Sequence, residues 1–346
     1  MKANKTLCLY NDSMSNIFYS LNSINTILAK AKPSKGCIVT SATLADKLAW
    51  AIKEISSADI EIIIVPDGEQ AKEWNELEKL LAAFSRSGLD RTSTVIALGG
   101  GTIGDLVGFA ASIYLRGIRY IQIPTTLLAQ VDSSHGGKTG INFHGYKNQV
   151  GVFGMPFATI IDIRFIRYLS AEQIADGIGE IIKAGLIKDK SILSILKKET
   201  LASLPSSPQL LTLIKKSIKA KLSYTEKDFK DASVRQLLNA GHTIGHAIEL
   251  KYKISHGRAV TLGLIQELAF TESLGLTGSS VRINLVKLLE HLRIKTDTTM
   301  KADWSAIMHD KKVGGSKILF PVIMKEGKSK IVDIDLNTLK EFVGKA

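Results

Sequence analysis

A parallel α/β domain followed by a mostly α-helical domain is the fold this sequence predicts, and three observations carry that expectation. The first half alternates apolar, β-rich runs with amphipathic stretches, and the second half is helical in pattern almost throughout. The length, 346 residues, exceeds the usual size of one hydrophobic core. The boundary is expected near residue 168, with residues 1–168 in the α/β domain and 169–346 in the helical one. A ligand cleft between two such domains is the default expectation.

In chain order, Cys37–Thr40 reads as a strand, Ala42–Ile55 as a helix and Ile60–Val65 as a strand. Glu69–Ser85 reads as a helix, Thr94–Leu98 as a strand, Thr102–Leu115 as a helix and Tyr120–Pro124 as a strand. Ala158–Ile163 is one more buried strand. From Ala171 the pattern is helical, with breaks at Leu204–Pro208, Lys227–Ser233 and Ser273–Ser280. Only Lys317–Ile323 and Lys330–Ile334 return to a strand texture.

Composition is ordinary for a globular chain, with 45% hydrophobic and 23% charged residues. Cys8 and Cys37 form neither a metal pair nor a disulfide framework, which fits a reducing compartment. The N-terminus lacks the apolar core of a secretory signal, and no apolar run reaches the length of a membrane span. A soluble, cytoplasmic protein is expected. The net charge of +12 comes from 45 Lys and Arg against 33 Asp and Glu. Counterion release would favour nucleic acid on a basic surface, but the basic residues are scattered and no nucleic-acid motif is present. A solvated basic surface, or a site for a small polyanion, accounts for them without nucleic acid.

Four stretches carry chemistry. Thr94–Leu98 runs into Gly99-Gly100-Gly101-Thr102-Ile103-Gly104-Asp105, a G-x-G-x-x-G pattern after a strand and at a helix start. Glycines let the backbone approach a pyrophosphate, and the helix start offers amide donors and positive potential. A plain tight turn accounts for the same glycines. Asp67-Gly68-Glu69-Gln70-Ala71-Lys72 follows a strand, where an acid can hold ribose hydroxyls or simply cap a helix. Pro124-Thr125-Thr126, Asp132-Ser133-Ser134, Gly136-Gly137-Lys138 and Lys147-Asn148 together read as a binding loop. Finally, Gly241-His242-Thr243-Ile244-Gly245-His246 puts two histidines at i and i+4 on one helix face, with His256-Gly257-Arg258 soon after. Upstream, Glu180 interrupts an apolar helix. A carboxylate and histidines from separate segments suit a zinc-type catalytic site with an open position. Spacing alone makes both His242 and His246 ligands.

Taken in order, the GGGxxGD turn, PTT, DSS with GGK, the KN pair, E-x-x-K, LN-x-GHTxGHAxE, HG and Asp310-Lys311-Lys312 resemble the 3-dehydroquinate synthase family, over roughly residues 60 to 315. The resemblance implies a Rossmann-like NAD-binding domain followed by a metal-binding helical domain. NAD would then meet Asp67, Gly68, Glu69, Gln70, Ala71 and Lys72. It would also meet Gly100, Gly101, Thr102, Ile103, Gly104 and Asp105, then Thr125 and Thr126. Lys138, Lys147, Phe165, Ile166, Arg167 and Tyr168 would complete that site. Zinc or cobalt would be held by Glu180, His242 and His256, which moves His246 from the metal to the substrate. The substrate would be gripped by Asp132, Lys138, Asn148, Lys183, Lys221, Arg235, Asn239 and one of Lys311 and Lys312. Arg116 would reach across a homodimer interface.

The implied reaction turns 3-deoxy-D-arabino-heptulosonate 7-phosphate into 3-dehydroquinate and phosphate, the second step of the shikimate pathway. Transient oxidation by NAD, β-elimination of phosphate, re-reduction and an intramolecular aldol make up the sequence. The family pattern is departed from at His135, at Phe229 after Asp228, at Asp231 and at Ala240. Two other enzyme readings remain open: a related sugar phosphate cyclase, and a metal-dependent alcohol dehydrogenase of the same superfamily.

Overall fold

The computed structural model describes residues 16–56, 60–311 and 315–345, with no side-chain description for 309–311 and 345. They form two compact units. One takes the described residues of Met1–Leu98, Thr102–Ile123 and Gly136–Ile161; the other takes those of Gly99–Gly101, Pro124–His135 and Asp162–Ala346.

Among the described residues, eight strands run through the first part of the chain. They are β1 (Ile17–Phe18), β2 (Gly36–Ser41), β3 (Glu61–Val65), β4 (Thr94–Gly99), β5 (Arg119–Pro124), β6 (Lys138–Phe143), β7 (Tyr146–Phe153) and β8 (Ala158–Ile160). Six of them form one sheet in the order β1-β8-β5-β4-β2-β3, while β6 and β7 make a separate antiparallel hairpin. Neighbours β1 and β8, β8 and β5, β4 and β2, and β2 and β3 pair in parallel. Every residue of β4 is buried, as expected for a strand covered on both faces by helices. Val39, Val95, Ala97, Leu106, Val107 and Phe84 share one core with Ile141 of the hairpin.

The strand and helix expectations hold in type, and the differences have local causes. The Ala42–Ile55 stretch is two helices, Ala42–Lys47 and Ala49–Ile55, parted where the buried Leu48 leaves helical geometry at φ −113°, ψ 25°. Glu69–Ser85 is a 3-10 turn, Gly68–Lys72, then a helix from Trp74 to Arg86, because Lys72 turns inward and is buried. The helix from Gly101 ends at Ile113, and Leu115 and Arg116 take φ 50° and 67° to send the chain back into β5. The expected irregular loop after Pro124 holds a π-helical turn, Ala129–Ser133, and the β6–β7 hairpin. Strand β8 stops at Ile160, and Ile163–Tyr168 is a 3-10 turn. Strand β1 and the helix Ile24–Ala31 were not anticipated.

The second unit is mainly helical, as expected. Its longest helices span Ala171–Ile187, Leu210–Thr225, His242–Tyr252, His256–Ser273 and Ser279–His291. The antiparallel hairpin of β9 (Lys317–Lys325) and β10 (Lys328–Asp335) packs Phe320 and Val322 against Phe270 and Leu339. Among the described residues, no helix is long and apolar enough to cross a membrane.

The His242 and His256 helices touch backbone to backbone. A Cβ on Gly263 would lie 1.9 Å from the Gly241 carbonyl oxygen and 2.8 Å from the Gly245 nitrogen. Gly263→Ala should therefore cost about 3 kcal/mol of stability, the upper range for overpacking. A thermal unfolding midpoint equal to that of the unaltered protein would show that the helices can part without cost.

Candidate active site

Glu180 lies in the middle of the Ala171–Ile187 helix, whose start is fixed by a Ser170–Gln173 capping box. His242 is the first residue of its helix, after Gly241 at φ 79°, and His256 is the first residue of the next. The His242 Nε2 and His256 Nε2 atoms lie 3.5 and 3.6 Å from Glu180 Oε1. One donor atom from each of the three residues falls within 4.8 Å of the others. Ligand atoms about 2.1 Å from a tetrahedral ion stand about 3.4 Å apart, so the three donors match the spacing a divalent metal needs. Glu180 is buried, with Oε1 turned to the two imidazoles and Oε2 to Lys183. The donor set fits zinc or cobalt.

Charge around these donors is tightly coupled. Burial pushes the Glu180 carboxyl up, but the adjacent Lys183 ammonium and His256 outweigh it and hold the group down at about 2. Lys183 Nζ contacts Glu180 Oε2 directly. Burial, followed by Lys183 and the neighbouring histidines, pushes His242 well below its ordinary value. Burial acts the same way on His256, yet Glu180 and Glu249 overcome it and raise the ring to about 10. His246 stands beside the pair, its ring 5.0 Å from that of His242 and 5.8 Å from that of His256.

Cations gather nearby in the same unit. Lys221 Nζ lies 2.8 Å from Asp132 Oδ1 and donates to the Asp132 carbonyl at 2.7 Å. Arg235 is buried and donates from Nη1 to the Phe229 carbonyl at 2.6 Å. Asp228 organises that turn by accepting from the backbone nitrogens of Ala232, Ser233 and Arg235, which hold its carboxyl down at about 2. Asn239 is half-buried at the end of the same 3-10 segment, Val234–Asn239.

At two of the departures from the family pattern, main-chain atoms make the contacts. Phe229 contributes its carbonyl to Arg235, and Ala240 contributes its carbonyl to His242 Nδ1 at 3.1 Å. His135 is buried with Nε2 on the Gln130 carbonyl at 2.9 Å, and burial pushes its ring down to about 4.

In the second unit, Thr125 donates its backbone N–H to the Gly99 carbonyl, and Thr126 Oγ1 accepts from Ala129. A Cβ on Gly100 would meet Thr126 at 3.2 Å, and one on Gly101 would meet Ser133 at 2.8 Å. The glycines therefore bring the PTT and DSS segments against the turn. Phe165 and Ile166 are buried, while Arg167 and Tyr168 are exposed.

In the first unit, Lys72 pairs with Asp105 at 2.8 Å and donates to Asn148 Oδ1. Asn142 links Asn148 N–H at 3.0 Å to Glu69 Oε1 at 2.9 Å. Asn148, expected at the substrate, thus joins residues expected at NAD. Asp67 caps nothing with its side chain but accepts from Thr43 Oγ1 at 2.7 Å. Lys138 and Lys147 are exposed on the β6–β7 hairpin, and Arg116 is exposed after its kink. Lys312 lies outside the described residues, as does the side chain of Lys311.

Three carboxylates around the histidines escaped sequence reasoning. Glu249 meets His256, Glu267 accepts from Gly241 N–H at 2.6 Å and Ile244 N–H at 3.1 Å, and Asp176 accepts from Ser255 Oγ and Arg258 N–H. Only Glu249 left a signal, seven residues after His242 and so on its helix face.

Family models described as 3-dehydroquinate synthase N-terminal and C-terminal match residues 62–176 and 177–313. The 3-dehydroquinate synthase of Dictyoglomus thermophilum is 43% identical over 278 residues, covering 79% of this chain and 78% of its own. That of a Sulfurovum species is 37% identical over 338 residues and 95% of each chain. Among solved structures, a 2-epi-5-epi-valiolone synthase from Streptomyces hygroscopicus with NAD+ and Zn2+ bound superposes with TM-score 0.85, at 23% identity over 97% of each chain. A 2-deoxy-scyllo-inosose synthase complexed with carbaglucose-6-phosphate, NAD+ and Co2+ gives 0.81, at 24% identity over 96% of each. At these identities the two structures attest the fold.

Proposed function

The chain belongs to the 3-dehydroquinate synthase family, and from that premise we propose that it is an NAD- and metal-dependent lyase using Glu180, His242 and His256 as metal ligands. It converts 3-deoxy-D-arabino-heptulosonate 7-phosphate to 3-dehydroquinate and phosphate. The observation that carries the reading is a buried carboxylate and two imidazoles at metal spacing, with Lys183, Lys221 and Arg235 gathered in the same unit.

When bound, the ion polarises a hydroxyl and NAD exchanges a hydride with the substrate. The chain supplies the rest. Arg235, Lys183, Lys221 and Asn239 hold a substrate that carries both a carboxylate and a phosphate, since charge-assisted bonds are the strong ones. Asp132 orients Lys221, and Asp228 holds the Arg235 turn. His246, beside the two ligand histidines, faces the substrate and moves a proton at its ring nitrogen. Lys138 and one of Lys311 and Lys312 complete the anion contacts. For NAD, Asp67, Glu69, Lys72, the Gly100–Asp105 turn with Asn148, Thr125, Thr126, Lys147 and the 165–168 segment are the assigned groups. Arg116, presented outward at a kinked turn, is assigned across a homodimer interface. A cytoplasmic location fits the free thiol of Cys37.

The test is the fate of the hydride. A cyclase returns it before release, so one NAD should support many phosphates released, with no free NADH accumulating. Stoichiometric NADH would instead make the chain a dehydrogenase.

A further inference from the structure

Resting on the metal reading above, we propose that Glu249 is a positioning residue: its carboxylate fixes His256 in the tautomer that presents Nε2 to the ion. Glu249 Oε2 lies 3.0 Å from His256 Nδ1. A carboxylate can only accept, so with the ion bound the remaining ring proton sits on Nδ1 and the lone pair of Nε2, the atom 3.6 Å from Glu180 Oε1, is left for the metal.

With the ion bound, the two ligand histidines are held in the same tautomer by different means. His242 Nδ1–H is held by the Ala240 carbonyl, a main-chain acceptor kept in place because Glu267 ties down the Gly241 and Ile244 nitrogens. Its side chain is 11% exposed. The His256 side chain is 31% exposed and takes its acceptor from a side chain, so it depends more on that one contact. Outer carboxylates of this kind orient a metal-bound imidazole and raise its basicity.

His246, Glu249 and His256 also offer donor atoms within 4.8 Å of one another. In that alternative Glu249 would itself be a ligand. The geometry favours the positioning role, because Glu249 meets the far nitrogen of His256, Nδ1, while Glu180 Oε1 faces the Nε2 atoms of both His242 and His256.

The experiment is zinc titration of the chelator-stripped full chain against a chromogenic chelator, with Glu249→Ala, Glu249→Gln and Glu180→Gln. Thermal midpoints of the metal-free proteins are measured alongside. Glu249→Ala should weaken zinc binding about 10- to 100-fold, with a metal-free midpoint equal to that of Glu249→Gln, which loses the same charge. Glu249→Gln should bind close to the unaltered protein, because an amide oxygen still accepts from Nδ1. Wild-type affinity in Glu249→Ala, with zinc lost in Glu180→Gln, would overturn the positioning role alone. Zinc lost in Glu249→Gln but kept in Glu180→Gln would overturn the ligand assignment as well. A metal-free midpoint for Glu249→Ala that falls well below that of Glu249→Gln would make the residue structural and overturn the inference.

Discussion

Glu180→Gln should leave the protein without its metal and lower kcat/KM about a thousandfold or more. Metal polarisation contributes several kcal/mol of charge stabilisation, and about 4 kcal/mol corresponds to three powers of ten. The substitution keeps the shape of the side chain but removes the anion that faces both imidazoles and Lys183. It also puts an amide N–H where an acceptor is needed. Zinc content per chain and turnover with added zinc are the measurements, beside a thermal midpoint that reports folding. A variant that keeps one zinc per chain and its activity would remove Glu180 from the ligand set.

Arg235→Ala should raise KM and cut kcat/KM about a hundredfold, as expected when about 3 kcal/mol of a buried charged contact is lost. The turn around it is held by Asp228 through backbone nitrogens, so the variant should fold. Arg235→Lys keeps the charge but not the planar fork, and should recover only part of the loss. Steady-state kinetics with the heptulosonate phosphate decide the matter. An unchanged KM in Arg235→Ala would take the guanidinium away from the substrate.

Much of the fold was legible because parallel strands buried on both faces read as continuous apolar runs, as in Cys37–Val39 of β2 and Val95–Leu98 of β4. The ends of elements were less so. The helix expected from Glu69 begins only at Trp74, since the tertiary pairing of Lys72 with Asp105 overrides local propensity. The polar stretch after Pro124 reads as a loop because hydroxyls and glycines look alike whether solvated or packed, yet Ile141 within it is wholly buried. At the site, Glu180 and the histidines were visible by residue type and spacing, and Arg235 only through the family resemblance. Residues that act through geometry were not. Glu267 looks like one polar position in a helix, and only the fold brings it to the Gly241 and Ile244 nitrogens.

The spread of the three donors along the chain bears on endurance as well as turnover. Glu180, His242 and His256 sit on three different helices of one unit. With an ion seated, those helices are stapled by a reversible bond that the unfolded chain lacks, and opening requires its release. Ligand linkage of this type adds about 4 kcal/mol when free metal stands a thousandfold above Kd. On this ligand set, the resistance of the helical unit to heat and proteases should rise with the free metal concentration.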